Sequence, residues 1–459
     1  MSGIKKARPD TPAKVRSTPW VSVKVLRSEL TLSTTLKCGQ SFRWQREHYE
    51  LDSGEISAPR WSCVLGHRLW FIQETEDGFQ YRTFRHSSTS ATPLSHESSS
   101  SASRDEASKE EKQQLEHDMK QDKEFLWDYF QLDVPLTDLY VKWSELDTNF
   151  KAKANLFPGV RILRQDPVEN LICFICSANN NISRISQMAT KICQEYGPSI
   201  TIPPEAPGES PRTFFGFPTM SALAQDGVEE TLRKLGFGYR AKYIANTAKA
   251  IHTMDHGEEW LMGLRKLSYE EAHNALLTLQ GVGPKVADCV CLMSLDKRNV
   301  IPVDTHVWQI AVRDYRFRYE GKVPKNISSA VYKAVGKHFF DLFGEYSGWA
   351  HTVLFVADLR TVEGVTKADP GSAGHDVVVK VEEEAVESSI ILAAAIEQDN
   401  TTFKRSIKRN KTGDEAEAQG QSLSLEEEAG TVSQGIQEIK LEEDSDGRRR
   451  SKRSRRAKD

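Results

Sequence analysis

The segment Leu279-Gln280-Gly281-Val282-Gly283-Pro284-Lys285-Val286-Ala287-Asp288 leaves the backbone few choices. Upstream, Ser268-Tyr269-Glu270-Glu271 is a capping-box pattern, so a helix opens there and runs into Leu279. Two glycines one residue apart then allow positive φ and a close approach of backbones. Pro284 suits the first turn of a following helix, where its missing N–H would have been unpaired anyway. The spacing therefore predicts a helix, a tight hairpin and a second helix. Such a turn offers backbone amides and a helix N-terminus to an anion. A bare Gly-Val-Gly is an ordinary helix–helix turn, but the longer pattern ending in Pro284-Lys285 favours the anion-binding hairpin.

Lys285 sits in the first turn of the second helix, where the helix dipole disfavours a cation. That placement, and burial in a pocket, would help it release its proton. An amine must be neutral to attack, whereas a free lysine titrates near 10.4. The plain alternative is a lysine that contacts phosphate, and position alone does not separate the two. Cys289 lies four residues on, on the same helical face. Asp288 points partly elsewhere and is read as solvating the helix. Pro302-Val303-Asp304-Thr305-His306 follows, and Asp304 precedes a helical pattern. Its plain role is an N-cap. Its functional role would be to stabilise positive charge developing on a sugar ring, and a cap would fix the carboxylate for that task. His306, at the same helix start, is a candidate phosphate contact.

The rest of the chain divides by composition. Residues 1–17 are polar and basic and read as a flexible arm. Residues 18–150 are read as a sheet domain, from short aromatic-rich runs such as Trp61-Ser62-Cys63-Val64-Leu65 and Leu69-Trp70-Phe71-Ile72 between turn signals. Within it, residues 86–121 are Ser-rich and then charged, and are read as a flexible insert whose last part, from about Ala107, could be a solvated helix. From about residue 122 to 360 the pattern is helical, with Pro167 near the start of one helix, and residues 151–360 are read as the helical domain. Cys173 and Cys176 have CxxC spacing but lie in an apolar run without partner ligands, so they read as core. Asn179-Asn180-Asn181 either ends that helix or reads base edges and phosphates. The fold class is α+β, with an antiparallel sheet domain before a mainly helical one.

Net charge misleads if taken whole. Of the total of −4, residues 361–446 carry 20 acidic against 8 basic side chains, and residues 447–459 carry 8 basic against 1 acidic. These are read as a disordered acidic tail ending in a basic cluster, Arg448 to Arg456, of the nuclear-import kind. The body without tail and insert is mildly basic, which suits a local phosphate-binding face. Seven cysteines, an odd number, do not make a disulfide framework. No apolar run approaches the roughly 20 residues of a membrane span.

Taken together, these motifs resemble the eukaryotic 8-oxoguanine DNA glycosylase/AP lyase family of the helix-hairpin-helix superfamily. The likeness is carried by Gly39-Gln40-Ser41-Phe42-Arg43-Trp44, Ser177-Ala178-Asn179-Asn180-Asn181-Ile182, Gly236-Phe237-Gly238-Tyr239-Arg240-Ala241, the hairpin with Lys285, the Asp304 segment and Gly348-Trp349-Ala350. It implies that Lys285 attacks the sugar of a flipped nucleotide while Asp304 stabilises the charge. It implies base recognition by Gly39, Cys289, His351 and Phe355. Asn179, Arg184 and Arg240 would hold the orphaned cytosine, with Tyr239 wedged at the vacated stack. Gly281, Val282, Gly283 and His306 would grip phosphate. No cofactor or metal is implied for the chemistry. The partner would be double-stranded DNA containing oxidised guanine, with a monomeric enzyme in the nucleus, possible mitochondrial copies and an import receptor at the basic cluster. One departure stands out: where the family has glutamine after Gly-Trp-Ala, this chain has His351. A neutral imidazole offers one donor and one acceptor, fewer than a carboxamide. A glycosylase for another damaged base, or a non-catalytic damage binder, are the alternative readings.

Overall fold

The computed structural model describes residues 15–47, 59–86, 101–205 and 208–362. The first 14 residues of the basic arm, the Ser-rich first part of the insert, the acidic tail from 363 and the basic cluster lie outside these.

Six antiparallel strands form the first layer: β1 (Val15–Ser17), β2 (Val21–Lys24), β3 (Gln45–Glu47), β4 (Arg60–Leu65), β5 (Arg68–Thr75) and β6 (Gly78–His86). Their order is β1-β6-β5-β4-β3, with β2 also paired to β6. β4 and β5 are joined by Gly66-His67, both at positive φ, the two-residue hairpin geometry that matches strand twist. Leu69, Trp70, Phe71 and Ile72 are all fully buried. An antiparallel sheet with one wet face would alternate. This one does not, because both faces are covered. Trp61, Trp70, Ile72 and Tyr81 pack with Leu126, Tyr129 and Phe130. Leu69, Phe71 and Phe84 pack with Ile200 and Ile202, which belong to β7 (Ser199–Ile202), the partner of β8 (Arg212–Phe215).

Two parts of the sequence reading need correction here. Residues 15–17 are not part of a loose arm but a strand on β6. Residues 101–121 are helical from Ser101, earlier than the solvated helix expected from about Ala107, and form the first part of a helix, Ser101–Tyr129, that continues onto the sheet. No apolar stripe announces it, because carboxylates anchor it. Asp118 and Asp122 are 4% and 0% exposed. Asp118 pairs with Arg16 at 2.9 Å and Arg85 at 3.0 Å. Asp122 pairs with Arg85 at 2.6 Å and Arg68 at 3.1 Å, and accepts from the Thr83 hydroxyl at 2.6 Å. Removing one partner of a buried pair strands the others, a cost of about 3–5 kcal/mol. Asp122→Ala is therefore expected to lower unfolding free energy by about that amount in urea titrations; a change below about 1 kcal/mol would mean the helix is held by Leu126 to Phe130 alone.

The second layer is helical and built around Pro167–Ser177, whose residues from Pro167 to Cys176 are all buried. Asp166 caps it by accepting from the Glu169 N–H at 3.0 Å. Cys173 and Cys176 lie in this core as free thiols. The helices Leu136–Leu146 and Thr148–Ala154, which straddle the domain bound drawn at residue 150, put Trp143, Phe150 and Ala154 into the helical core. One stretch ties the layers together. Arg43 makes two bonds to the Glu169 carboxylate, at 2.8 and 2.5 Å. Gln40 donates to the Arg161 carbonyl (2.7 Å) and accepts from the Leu163 N–H (2.8 Å). These bonds fix Gly39 against the helical layer.

Candidate active site

The hairpin folds as its sequence predicts. Helix Tyr269–Leu277 begins in a capping box between Ser268 and Glu271, and helix Pro284–Ser294 has its proline in the first turn. Gly281 has φ +79°, and a Cβ there would lie 2.6 Å from the Cβ of Tyr243. No other residue type fits that turn without displacing Tyr243. Gly283 is the N-cap of the second helix. Val282 turns its side chain into the core and its N–H onto the Leu279 carbonyl at 3.3 Å.

Lys285 is carried on the first turn, with Nζ 3.5 Å from the Ser177 hydroxyl and 5.2 Å from the Phe174 ring centre. The expectation of a depressed lysine is corrected by its neighbours. Burial pulls its pKa down, but the Cys289 sulfur and the Asp304 carboxylate favour the ammonium, and the balance lies above the ordinary lysine value. Burial also pushes the Cys289 thiol up to about 12. At neutral pH Cys289 is a neutral thiol whose sulfur can only accept from the lysine, and the Asp304 carboxylate is the charge that favours the ammonium. Asp304 is the N-cap of helix Thr305–Arg313, as expected, accepting from the N–H groups of His306 (3.0 Å) and Val307 (3.1 Å). Both bonds fall on one oxygen, Oδ1.

Two of the residues expected to read the base, Gly39 and His351, lie around a third, Phe355. A Cβ on Gly39, itself at φ +82°, would lie 3.8 Å from the Phe355 ring and 2.9 Å from Ile182. His351 lies one turn before Phe355, with ring centres 6.2 Å apart. His351 is 5% exposed, and neither ring nitrogen has a hydrogen-bond partner of normal geometry. Burial drives its pKa down to about 4, against weaker opposing effects from Asp304 and the Gly348 backbone, so it is neutral. His306 packs edge-on against Phe355 at 5.7 Å, and its Nδ1 meets Asp358 at 2.9 Å. The Asp358 bond raises the His306 pKa despite burial. Asp358 escaped the sequence reading, although His351, Phe355 and Asp358 recur at the i, i+4, i+7 spacing of one helical face.

Around the Asn run the roles separate. Asn180 donates to the Cys176 carbonyl at 2.9 Å and so ends one helix. Asn181 caps the next, accepting from the Arg184 N–H at 2.8 Å. Asn179 is exposed at φ +47°. Arg184 is exposed as well, and Tyr239 is 44% exposed. Arg240, by contrast, is buried and spends its guanidinium on the Ala178 and Asn179 carbonyls, the latter at 2.9 Å. In this structure it holds the backbone that presents Asn179, and Tyr239 supports the same Ala178 carbonyl at 3.2 Å. A cavity of about 660 Å³ nearby is walled by Cys38, Phe42 and Ile182, which flank Gly39, but not by Lys285, Asp304 or His351.

Comparison with known proteins bears on this geometry. Residues 22–171 match the model of the 8-oxoguanine DNA glycosylase N-terminal domain, and residues 172–337 match the HhH-GPD superfamily of base excision DNA repair proteins. The N-glycosylase/DNA lyase OGG1 of Arabidopsis thaliana is 36% identical over 343 residues, covering 74% of this chain and 80% of the relative. The N-glycosylase/DNA lyase of Saccharomyces cerevisiae is 39% identical over 267 residues, 53% of this chain and 68% of the relative. The Clostridium acetobutylicum 8-oxoguanine glycosylase/lyase, in complex with double-stranded DNA containing cytosine opposite 8-oxoG, superposes with a TM-score of 0.54 at 26% identity, over 72% of this chain and 92% of that one.

Proposed function

We infer the reaction from one premise: the chain belongs to the 8-oxoguanine DNA glycosylase/AP lyase family of the HhH-GPD superfamily. It is a bifunctional enzyme that excises 8-oxoguanine opposite cytosine and nicks the strand at the resulting abasic site. The observation that best supports a residue-level mechanism is the convergence of Lys285, Cys289 and Asp304 in one electrostatic group.

In this mechanism the damaged nucleotide leaves the stack and enters the pocket beside Phe355. The Lys285 amine, once deprotonated, forms a bond to the sugar C1′. The bond from C1′ to the base breaks, and the base leaves with the electron pair and takes up a proton. Asp304 stabilises the positive charge that develops on the sugar meanwhile. Opening of the sugar ring gives a Schiff base, and loss of a C2′ proton then expels the 3′ phosphate. Because Lys285 rests as an ammonium, the attack also requires its proton to leave when substrate binds. The Gly39 carbonyl accepts the N7 hydrogen that ordinary guanine lacks. Cys289 and Phe355 flank the base, and His351 meets its Watson–Crick edge through one nitrogen at a time. His306, made more basic by Asp358, and the hairpin amides at Gly283 hold phosphate. Asn179, Arg184 and Tyr239 face the unpaired cytosine, with Arg240 behind them.

The deciding experiment is borohydride trapping on an 8-oxoguanine·cytosine duplex. A covalent protein–DNA adduct is expected; folded protein that releases the base without one would overturn the lysine mechanism. A nuclear location and an import receptor at Arg448 to Arg456 belong to the same proposal, on the strength of that basic run. Deleting residues 447–459 should reduce nuclear accumulation and leave base excision in vitro unchanged; equal accumulation would sink the import role.

A further inference from the structure

A buried carboxyl lies one turn beyond Lys285, and the reaction as written does not use it. Asp288 is 1% exposed, not a solvated helix residue as its sequence position suggests. It accepts from the Tyr269 hydroxyl at 2.8 Å and the Tyr332 hydroxyl at 2.6 Å, and His273 Nε2 lies 3.5 Å away. Tyr269 and His273 belong to the helix before the hairpin, and Tyr332 to helix Ser329–Phe343. Burial outweighs these donors and brings the carboxyl up to about 7. His273 is pulled below its usual value by burial and by Lys333, so it adds little charge.

Tyr332 has a second contact. Its oxygen accepts the N–H of Val303 at 3.2 Å, in the residue just before Asp304. Ile301, Pro302 and Val303 are buried and form no helix or strand, so that N–H needs an acceptor from elsewhere. A hydroxyl has one proton to give. The Asp288 carboxylate takes it, which leaves the Tyr332 lone pairs for Val303. Among the described residues, the Asp304 carboxylate accepts from the N–H groups of its own helix, His306 and Val307. They orient the carboxylate on helix Thr305–Arg313 but do not set its distance from Lys285. The chain Asp288–Tyr332–Val303 joins the helix that carries the lysine to the segment that carries the aspartate.

We propose that Tyr332 is a positioning residue for Asp304: its hydroxyl, oriented by Asp288, holds the 302–304 segment in register with the lysine helix. This rests on the role given above to Asp304 in base release. A small displacement of a positioned group can cost up to about 10²-fold in rate, and one lost hydrogen bond should shift the segment by less than that limit.

The test separates the two chemical steps in the full-length protein. Tyr332→Phe keeps the ring and removes only the hydroxyl. Single-turnover release of 8-oxoguanine is expected to fall about tenfold, while strand nicking at a preformed abasic site stays within about twofold and duplex affinity is unchanged. Asp288→Asn keeps the Tyr332 hydroxyl but weakens its acceptor, and should give a smaller loss with the same selectivity. It should also flatten any change in the base-release rate between pH 6 and 8, where Asp288 changes charge among Tyr269, Tyr332, His273 and its own helix neighbours Cys289 and Cys291. Should Tyr332→Phe not fold, Asp288→Asn carries the test alone. Equal losses in both steps, or none in either, would overturn the positioning role. Asp304→Asn is the control for the underlying reading: if it leaves base release intact, the role of Asp304 fails, whatever Tyr332→Phe does.

Discussion

Lys285→Gln will give no borohydride-trapped adduct on an 8-oxoguanine duplex, and base release will fall by roughly 10³–10⁶-fold, the scale on which a removed nucleophile is felt. The substitution keeps an unbranched polar chain in the first turn of helix Pro284–Ser294. Ser177 can still bond a carboxamide, and Phe174 loses only a cation over its ring. The fold should therefore survive, with duplex affinity reduced slightly at most. Asp304 keeps its cap on the next helix whether or not the lysine is present. What disappears is the amine that interacts with Cys289 and Asp304. Adduct that persists in Lys285→Gln would place the nucleophile elsewhere, and the phosphate-contact reading of Lys285 would take over. Loss of trapping with full base release would instead mean that water attacks the sugar and the lysine serves only the nick.

What could be read from the sequence was whatever depends on neighbours along the chain. The hairpin follows from Gly281, Gly283 and Pro284, and the helix before it from Ser268 and Glu271; each is a local rule of backbone conformation or capping. The buried run Leu69 to Ile72 announced a strand, but not that both of its faces are covered, since β7 comes 130 residues later. The helix Ser101–Tyr129 was read only as a solvated stretch from about Ala107, because its anchors, Arg16, Arg68 and Arg85, lie on three other elements of the chain. A charged segment looks solvated until its partners are known. The same limit applies at the site. The likeness of motifs named Lys285, Asp304 and Phe355, yet the protonation of Lys285 depends on Asp304, 19 residues away, and the role of Arg240 on two carbonyls some 60 residues earlier. Asp288 was assigned to solvent because helical periodicity says which face a residue occupies, not what covers that face.

His351→Leu will stabilise the protein while impairing base release, two effects of opposite sign from one side chain. The imidazole is 5% exposed with neither nitrogen in a hydrogen bond of normal geometry, and a buried polar group left short of partners costs about 1–3 kcal/mol. Leucine of similar bulk removes that cost. A further gain appears in acid. The folded imidazole holds its proton only below about 4, whereas the unfolded one binds it near 6.5. Between these values the unfolded chain carries more protons, so stability due to His351 is complete above about 6.5 and is lost as pH falls toward 4. The advantage of His351→Leu in unfolding free energy should therefore widen from pH 8 to pH 5. His306, whose pKa is raised, works the other way, stabilising in acid and less so as pH rises, but it is present in both proteins and cancels in the comparison. Base release should drop about 10–100-fold, the worth of one or two hydrogen bonds to the base edge. His351→Gln should match or exceed the parent on 8-oxoguanine, because a carboxamide offers more bonds to that edge. If His351→Leu lowers stability at pH 8 and leaves base release unchanged, the imidazole packs the fold and the edge of the base is read by another group. If the leucine variant is the more stable and the slower, an unpaired histidine has been kept in the pocket for a ligand that supplies its missing partner.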